Sequence, residues 1–262
     1  MVRAAGEGDP LPLTLRILCW NVHKCVGGLD RRYDPARTAA VIATAEPDVV
    51  LMQEVAQNGR WYRGERQVDV LGEALGMPHR SYFVNVRFGP RRGEYGNAIL
   101  SHAPIASSTN LDLTLPTKKA RSVLHAELRL HDDAGRTRTL HVFNLHLGLS
   151  EAERREQLRR FLQSHELRSI HADTPVVVAG DFNDVYGSLG KKLLAPVGFR
   201  GPSRPLRTFP AWAPVRALDS LWVRGDIEVL TLERLRCRGT RTASDHVPLL
   251  AELRLHAAAR HG

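Results

Sequence analysis

Polar side chains that could bind a metal ion or transfer a proton follow a short apolar run in the second half of the chain. Residues 176–179 are small or β-branched, and they lead into Gly180, Asp181 and Asn183. Such a run is typical of a strand buried on both faces. Side chains two residues apart on extended backbone point the same way, so Asp181 and Asn183 could hold one ligand oxygen together. Both residue types are also common in turns, and this stretch alone leaves the two interpretations open.

The same arrangement recurs along the chain, where apolar runs at residues 15–20, 49–52 and 139–145 each end in amide, carboxylate or imidazole groups. The candidates are Asn21, Glu54, Asn144, His146, Asp181, Asn183, Asp219, Asp245 and His246. None of them is a serine or cysteine nucleophile. Amide and carboxylate oxygens favour a hard cation such as Mg²⁺ or Mn²⁺, whereas imidazoles suit proton transfer. A single histidine is more often structural, and His141 and His165 are interpreted in that way.

The intervening segments contain signals for helices and for a hairpin. An Asp-Pro pair at residues 34–35 predicts the start of a helix. Ser150, with Glu153 three residues later, predicts a second helix that begins with a capping box. Apolar and polar residues alternate over residues 121–130, which predicts a half-buried strand paired with the next one through a turn at residues 132–135.

The composition predicts one soluble globular domain. The chain has 262 residues, of which 43% are apolar and 25% charged, and it contains no internal repeat. We expect one domain over residues 14–262 after a loose leader at residues 1–13. No stretch has the apolar core of a signal peptide or the length of a membrane span. The three cysteines, Cys19, Cys25 and Cys237, lack metal-binding spacing. We therefore expect a cytoplasmic monomer without stable membrane insertion.

The charge of the chain favours an anionic partner. Lys and Arg number 37 against 28 Asp and Glu, a formal charge of +9, which suits a partner that carries phosphate. Residues 87–93 predict an exposed loop with three arginines, and Lys24 is predicted to face solvent. Phe209 and Trp212 lie in a proline-rich loop, either as rings that stack on nucleic-acid bases or as core residues. Cations and rings together favour nucleic acid as the partner.

Taken in order, these motifs resemble the endonuclease/exonuclease/phosphatase superfamily, which has the deoxyribonuclease I-like fold. The resemblance covers nearly the whole chain. It rests on Trp20-Asn21, Gln53-Glu54, Tyr95-Gly96-Asn97, Asn144-Leu145-His146, Gly180-Asp181-Phe182-Asn183, Leu218-Asp219 and Ser244-Asp245-His246. It implies an α/β fold built as a four-layer sandwich, with two packed mixed β-sheets flanked by helices. It also implies hydrolysis of phosphate esters that depends on a divalent metal, Mg²⁺ or Mn²⁺.

The resemblance further implies which residues bind the metal and activate water. Asn21 and Glu54 would hold the metal, with Asp245 close to it. His246 would be the general base that takes a proton from water. Asp219 would bond to the other nitrogen of this imidazole and fix its tautomer, as an orienting acid does.

The remaining matches would surround the phosphate. Asp181 would lie near the nucleophile or the leaving group, and Asn183 and His146 would donate hydrogen bonds to the phosphoryl oxygens. Other residues are weaker candidates for supporting the site or binding substrate. They are Asn144, Tyr95, Asn97, Arg121 and Trp212.

The sequence therefore predicts a metal-dependent phosphodiesterase. A weakly specific nuclease is the first interpretation, and a phospholipid, sphingomyelin-type or other small-phosphoester hydrolase is the second. A phosphomonoesterase is a third, because the central chemistry is shared. A non-catalytic binding protein on the same fold is the rival of another class, and the presence of Glu54, Asp181 and His246 argues against it.

Overall fold

Two β-sheets form the centre of the structure, a computed structural model that describes residues 13–131 and 137–256. The strands of the first sheet are β1 (Leu13–Asn21), β2 (Val49–Gln57), β3 (His79–Arg87), β4 (Glu94–Ser101), β10 (Ile227–Arg234) and β11 (Leu249–Leu255). They are hydrogen-bonded in the order β10-β11-β1-β2-β4-β3. β1 and β2 are parallel, and the other neighbouring pairs are antiparallel. The sheet is therefore mixed, with its parallel pair near the middle.

The second sheet repeats this arrangement with five strands. They are β5 (Ile105–Asp112), β6 (Ser122–His131), β7 (Thr137–His146), β8 (Val176–Asp181) and β9 (Asp219–Arg224), paired in chain order. β7 and β8 are parallel, whereas the other pairs are antiparallel. Parallel strands joined by a helical crossover end at the same edge of a sheet.

Helices cover the outer face of each sheet. They are α1 (Pro35–Ala43), α2 (Gln67–Ala74), α3 (Glu151–Gln163), α4 (His165–Arg168), α5 (Leu189–Leu193) and α6 (Thr240–Ala243). One apolar cluster lies between the two sheets. A second packs α1, α2 and α6 on the first sheet, and a third packs α3, α4 and α5 on the second. The predicted four-layer α/β sandwich with two mixed sheets is confirmed.

Both helix starts expected from the sequence are confirmed by their hydrogen bonds. Asp34 Oδ1 accepts from the backbone N–H groups of Ala36 and Arg37 at 3.1 and 3.3 Å, at the start of α1. Ser150 Oγ accepts from the N–H of Glu153, and the Glu153 carboxylate accepts from the N–H of Ser150, which completes the capping box of α3. Each bond satisfies a backbone group that the first turn of a helix leaves unpaired.

Two of the predicted segments lie largely or wholly outside the described residues. These are residues 1–12 of the expected leader and the expected turn at residues 132–135. Leu13, the last residue of the expected leader, already pairs with Leu255 in the first sheet. Among the described residues, no helix combines the length and the apolar character needed to cross a membrane.

Candidate active site

Many of the predicted site residues meet at one edge of the two sheets. The parallel strands β1 and β2 run to this edge, with Asn21 and Glu54 near their carboxyl ends. The parallel strands β7 and β8 of the other sheet also end there, at His146 and Asp181. A hydrogen bond of 3.0 Å from Asn21 Nδ2 to Asp181 Oδ2 joins the two groups. Each sheet therefore contributes half of the candidate site.

His246 and Asp219 form a buried pair at the centre of this edge. His246 Nδ1 lies 2.8 Å from Asp219 Oδ2, and Thr208 Oγ1 donates a hydrogen bond of 2.5 Å to the same carboxylate oxygen. The ring of Phe209 packs against the imidazole, with 5.1 Å between ring centres. Because Nδ1 donates to the carboxylate, Nε2 is left to face Asp181 Oδ2 at 3.9 Å.

The charges around His246 favour its protonated form. Burial alone would lower the pKa of this imidazole, but the charge and hydrogen bond of Asp219 outweigh it and raise the pKa of His246 to about 10. Burial raises the pKa of the neighbouring Asp181. The site thus stabilises the imidazolium that a general base becomes when it takes a proton. A divalent cation among these carboxylates would oppose this effect and lower the pKa of His246.

Asp181 connects the two residues that are expected to contact phosphate. Its Oδ1 accepts the backbone N–H of Asn183 at 2.8 Å, and its Oδ2 lies 3.5 Å from His146 Nε2. Burial, reinforced by the charge of Arg121, holds the pKa of His146 well below its usual range, so this imidazole is neutral. Asn183 Nδ2 donates to the carbonyl of Leu147 at 2.9 Å. Asn183 has a second amide hydrogen, and neutral His146 has one N–H, that can serve as donors.

Glu54 leaves the regular pairing of β2 through a β-bulge. β2 and β4 pair regularly up to Met52, and the register shifts before pairing resumes at Val55. The φ angle of Glu54 is 56°, a left-handed conformation that costs a non-glycine residue about 1–3 kcal/mol. Bulges of this kind redirect a side chain and often lie beside active sites. The bulge here brings the carboxylate into contact with the ammonium group of Lys24.

Lys24 does not face solvent, and the sequence-based prediction for it is wrong. Its side chain is only 19% exposed and forms an ion pair with Glu54. A turn through His23, Lys24 and Cys25, with φ angles of 46°, 61° and 56°, directs the side chain back into the site. Burial disfavours ionised Glu54, but the charge and the hydrogen bond of the Lys24 ammonium group outweigh it and hold the pKa of Glu54 below its usual range. Glu54 is thus a half-buried, ionised carboxylate paired with one ammonium group.

Residues at the ends of β1 and β2 and in the segment before β11 offer oxygen donors that fit a hard divalent cation. Asn21 Oδ1 accepts one hydrogen bond, from the N–H of His23 at 3.0 Å, and has a second lone pair. Asp245 is partly exposed, and its Oδ1 lies 3.8 Å from His23 Nδ1. Together with Glu54 they form an amide and carboxylate set, which suits Mg²⁺ or Mn²⁺ better than a soft metal.

Asp181, Asp219 and His246 are a second group that could hold a metal, because one ligand atom from each lies within 4.8 Å of the others. His246 Nδ1 and Asp219 Oδ2 bond to each other, which leaves His246 Nε2 and, among the described residues, the unpartnered Asp219 Oδ1 as ligand atoms. Metal binding at His246 Nδ1 would remove the hydrogen that fixes its tautomer. The structure thus offers two candidate metal groups, this one and the set around Glu54.

Replacing Lys24 with Met should leave the Glu54 carboxylate without its partner. We expect the free energy of unfolding in EDTA to fall by about 2–3 kcal/mol, less than the 3–5 kcal/mol typical of fully buried pairs, because the two side chains are 19% and 17% exposed. Added Mn²⁺ should restore more stability to this variant than to the wild type. Urea denaturation with EDTA or Mn²⁺ measures both effects. The exposed Lys192→Met is the control, and equal losses in the two variants would contradict the assignment.

Asn144 and Asn97, both predicted to support the site or to bind substrate, are fully buried. Asn144 Nδ2 donates to the carbonyls of Met52 and Ala98 in the first sheet at 2.8 and 2.9 Å. Its Oδ1 accepts from Gln53 Nε2 at 2.6 Å. The Asn97 amide donates to two carbonyls of the second sheet, both at 3.3 Å. These amides join the two sheets, and their hydrogens are committed to backbone carbonyls.

Asn144→Ala is expected to destabilise the fold. The change leaves the carbonyls of Met52 and Ala98 and the amide of Gln53 without their partner, and each unpaired buried group costs about 1–3 kcal/mol. We expect the free energy of unfolding to fall by at least about 3 kcal/mol in urea denaturation. Gln163→Ala, at an exposed position of α3, should change it by less than about 0.5 kcal/mol. Similar values for the two variants would refute this role for Asn144.

Three other substrate-binding candidates lie at different depths around the site. Arg121 is 4% exposed, and within the described part of the chain no acceptor bonds to its buried Nε. Tyr95 is buried, with Lys119 Nζ 5.1 Å from its ring centre. Trp212 is 55% exposed at the rim, and the N–H of the preceding residue donates to the Asp245 carbonyl at 2.7 Å. A buried guanidinium without a protein acceptor makes Arg121 the strongest of the three for binding an anion.

Lys24 and Thr208 belong to the site although the sequence did not indicate them. Lys24 follows Asn21 by three residues at a strand end, which was the available clue. The sequence around Thr208 contains no such clue, because Thr208 contacts Asp219 only through the folding of the loop between them. Ser244 Oγ ties this region together by donating to the carbonyl of Asn21 at 2.7 Å and accepting from the N–H of His246 at 3.2 Å.

Solved structures with the same fold are similar over most of the chain. An endonuclease/exonuclease/phosphatase from Beutenbergia cavernae is 24% identical, with a TM-score of 0.76 over 93% of this chain and 72% of that one. Another from Bacteroides vulgatus is 21% identical, with a TM-score of 0.71 over 93% of this chain and 100% of that one. At these identities the likeness shows the fold.

A match to a family model establishes the family of this chain. The uncharacterized protein YbhP of Escherichia coli strain K12 is 29% identical over 259 residues, which cover 92% of this chain and 97% of that protein. The model of the Endonuclease/Exonuclease/phosphatase family, whose members hydrolyse phosphoester bonds, matches residues 18–246. That match runs from within β1 to His246 and includes every strand end described above, and the chain therefore belongs to the endonuclease/exonuclease/phosphatase family.

Proposed function

We propose that this protein is a divalent-metal-dependent phosphodiesterase that acts on nucleic acid. The observation that carries the proposal is the buried pair of His246 and Asp219, in which Nε2 of His246 faces Asp181. Oxygen donors for a hard cation and the buried guanidinium of Arg121 lie at the same edge. Phosphoryl transfer needs a base for water, a cation for the developing charge and donors for the phosphoryl oxygens, and this edge supports all three.

In this proposal His246 Nε2 takes a proton from the attacking water. Asp219 holds the Nδ1 hydrogen, keeps the imidazole in the correct tautomer and stabilises the imidazolium that forms. Thr208 fixes the carboxylate through its hydrogen bond to the same oxygen. Asp181 accepts from Asn21 and lies beside Nε2, so it orients the water or the leaving group.

Other residues of this edge bind the phosphate and the metal in the proposal. His146 and Asn183 donate hydrogen bonds to the phosphoryl oxygens, and Arg121 supplies a fixed positive charge. Asn21 at the end of β1, Glu54 in the bulge of β2 and Asp245 in the segment before β11 would hold Mg²⁺ or Mn²⁺. An ion bound there would supply positive charge that stabilises the negative charge developing on the phosphate.

The charge of the chain, +9, favours nucleic acid as the substrate. Solved structures of this fold include D. rerio TDP2 with a single strand DNA product, 20% identical with a TM-score of 0.64. They also include a mannosyl-6-phosphatase from Bacteroides thetaiotaomicron, 19% identical with a TM-score of 0.68. These likenesses concern the fold alone, so the substrate proposal rests on the charge and on the surroundings of the site.

A phospholipid or other small phosphoester is the second candidate substrate, and one observation favours it. Exposed apolar side chains follow the site residues of the second sheet. They are Leu149, Val185 and Tyr186, exposed by 73%, 37% and 83%. Such a rim could touch the surface of a lipid aggregate.

A panel of phosphoesters tests the proposal. Single-stranded DNA, RNA, sphingomyelin, phosphatidylinositides and mononucleotides are incubated with the protein in Mg²⁺, Mn²⁺ or EDTA. We expect cleavage of the nucleic acids, lost in EDTA. His246→Gln, purified in parallel, controls for contaminating nucleases and should be inactive. Turnover of a phospholipid or a monoester alone would refute nucleic acid as the substrate, and activity that survives EDTA would refute metal dependence.

A further inference from the structure

We propose that a single strand of nucleic acid crosses the active-site edge of the first sheet between two cationic surfaces, one on each side of the catalytic residues. This inference rests on the function proposed above and adds the path of the strand and the residues that hold it. No contact in the catalytic centre is needed to define that path. The order of the strands in the sheet defines it.

The strand ends form a line along this edge. β10 ends at Arg234, next to the start of β11, which follows His246. The line continues through Asn21 in β1 and Glu54 in β2 to the end of β3 at Arg87. At ~4.8 Å between neighbouring strands, it is about 24 Å long. The catalytic and metal-binding candidates occupy its middle, and the segments that follow β10 and β3 occupy its two ends.

The end beyond β3 carries a ring ledge, formed by Trp61, Phe88, Arg91 and Arg92. Trp61 and Phe88 are 52% and 44% exposed. The guanidinium carbons of Arg91 and Arg92 lie 5.4 and 5.7 Å from the Trp61 ring centre. The N–H of Trp61 donates to the Arg91 carbonyl at 3.3 Å, which holds the two loops together. Phe88 packs 5.7 Å from Tyr95, which borders the site. Exposed rings beside cations suit an unstacked base and its phosphate.

The end beyond β10 carries an arginine cleft of about 380 Å³. Its lining includes Ala211, Arg236, Arg238, Arg241 and Val247. The N–H of Ala211 donates to the carbonyl of Asp245 at 2.7 Å, so the cleft adjoins the catalytic residues. In the described residues none of the three cleft arginines forms a salt bridge, unlike Arg87, which pairs with Glu94 at 3.1 Å. Unpaired arginines in a cleft suit phosphate groups.

A single strand fits this line better than a duplex or a lipid surface does. The ring ledge offers faces to bases, and a duplex keeps the faces of its bases stacked inside. A flat lipid surface can touch the exposed rings but cannot fill the cleft at the other end. His246 is buried between the two surfaces, so a flexible chain is needed to bring a phosphate to it.

Binding without turnover tests the path. Fluorescein-labelled single strands of DNA and RNA, about 12 nucleotides long, are titrated in EDTA from low to physiological salt, and anisotropy gives Kd. Trp61→Ala should raise Kd about 5- to 150-fold, which corresponds to the loss of one stacked base. Arg91→Ala/Arg92→Ala and Arg236→Ala/Arg238→Ala should each lower the magnitude of the salt slope by about 1.4, at roughly 0.7 per phosphate.

The matched control is Arg159→Ala/Arg168→Ala, which removes the same charge from exposed positions of α3 and α4 and should leave the slope unchanged. An effect at one end alone, or an equal effect in the control, overturns the crossing path. Tighter binding to phosphatidylserine vesicles than to single strands, lost in Trp61→Ala, also overturns it. Binding as expected by a protein that cleaves none of the phosphoesters supports the path and refutes the proposed hydrolase, so the two failures are distinguishable.

Discussion

Asp219→Asn is expected to lower kcat by about 10²- to 10⁴-fold in a folded protein. General bases contribute that range, and the analogous change in a serine protease costs about 10⁴. Asparagine keeps the size of the side chain and can still accept from Thr208. It removes the charge that stabilises the His246 imidazolium, and its NH₂ group can force the wrong tautomer. Steady-state kinetics on an oligonucleotide measure the loss, and circular dichroism checks the fold.

The same variant has a readout that does not depend on activity. In the wild type Asp219 raises the pKa of His246 to about 10, above its ordinary 6.5, against the effect of burial. Without that charge burial should lower the pKa, so the imidazole should lose its proton at a lower pH. NMR of the imidazole nitrogens in EDTA follows this titration, and the spectrum of His246→Gln assigns the resonance. Wild-type kcat in folded Asp219→Asn and His246→Gln would refute the base assignment.

Glu54→Gln is expected to weaken metal binding and activity together. The change keeps the shape of the side chain and removes the charge that a divalent cation needs. Loss of several kcal/mol of charge stabilisation corresponds to about 10²- to 10³-fold in rate at 1.36 kcal/mol per tenfold. Calorimetric titration with Mn²⁺ gives the affinity, and activity across Mn²⁺ concentrations shows whether excess metal restores the rate.

A matched control separates the site from general effects of charge. Glu73 lies on α2 with its side chain 75% exposed, and Glu73→Gln should leave Mn²⁺ affinity and rate unchanged. Restoration of the Glu54→Gln rate by excess Mn²⁺ would place the defect in metal binding. An unchanged affinity for Mn²⁺ in Glu54→Gln would contradict the assignment of Glu54 as a metal ligand.

The positions of the main site residues could be predicted from the sequence because the signals are local. An apolar run that ends in Asp181 and Asn183, or in Asn144 and His146, shows both a buried strand and the place where it ends. The order of these motifs then implies the fold through the resemblance. That these strand ends lie at one edge could be predicted without knowledge of packing angles or side-chain geometry.

Other features depend on geometry that no single stretch encodes. Lys24 was predicted to face solvent because a lysine after a strand usually does. Instead, three successive residues with left-handed backbone conformation turn its side chain back into the site. Asn144 lies at a strand end like the site residues, but the register between the sheets turns its amide onto Met52 and Ala98. Thr208 meets Asp219 through a loop whose course is not periodic.

The buried amide of Asn144 has a consequence for how the protein opens. Because it bonds to Met52, Gln53 and Ala98 across the interface, the two sheets cannot slide past each other without breaking all three bonds at once. Amide hydrogens of β1, β2, β7 and β8 should therefore exchange with deuterium only through global unfolding, while those of three of the four outer strands, β3, β5 and β10, exchange through local opening. The loops around the catalytic edge are then free to adapt to a substrate, while His246 and Asp219, which come from different sheets, keep their separation.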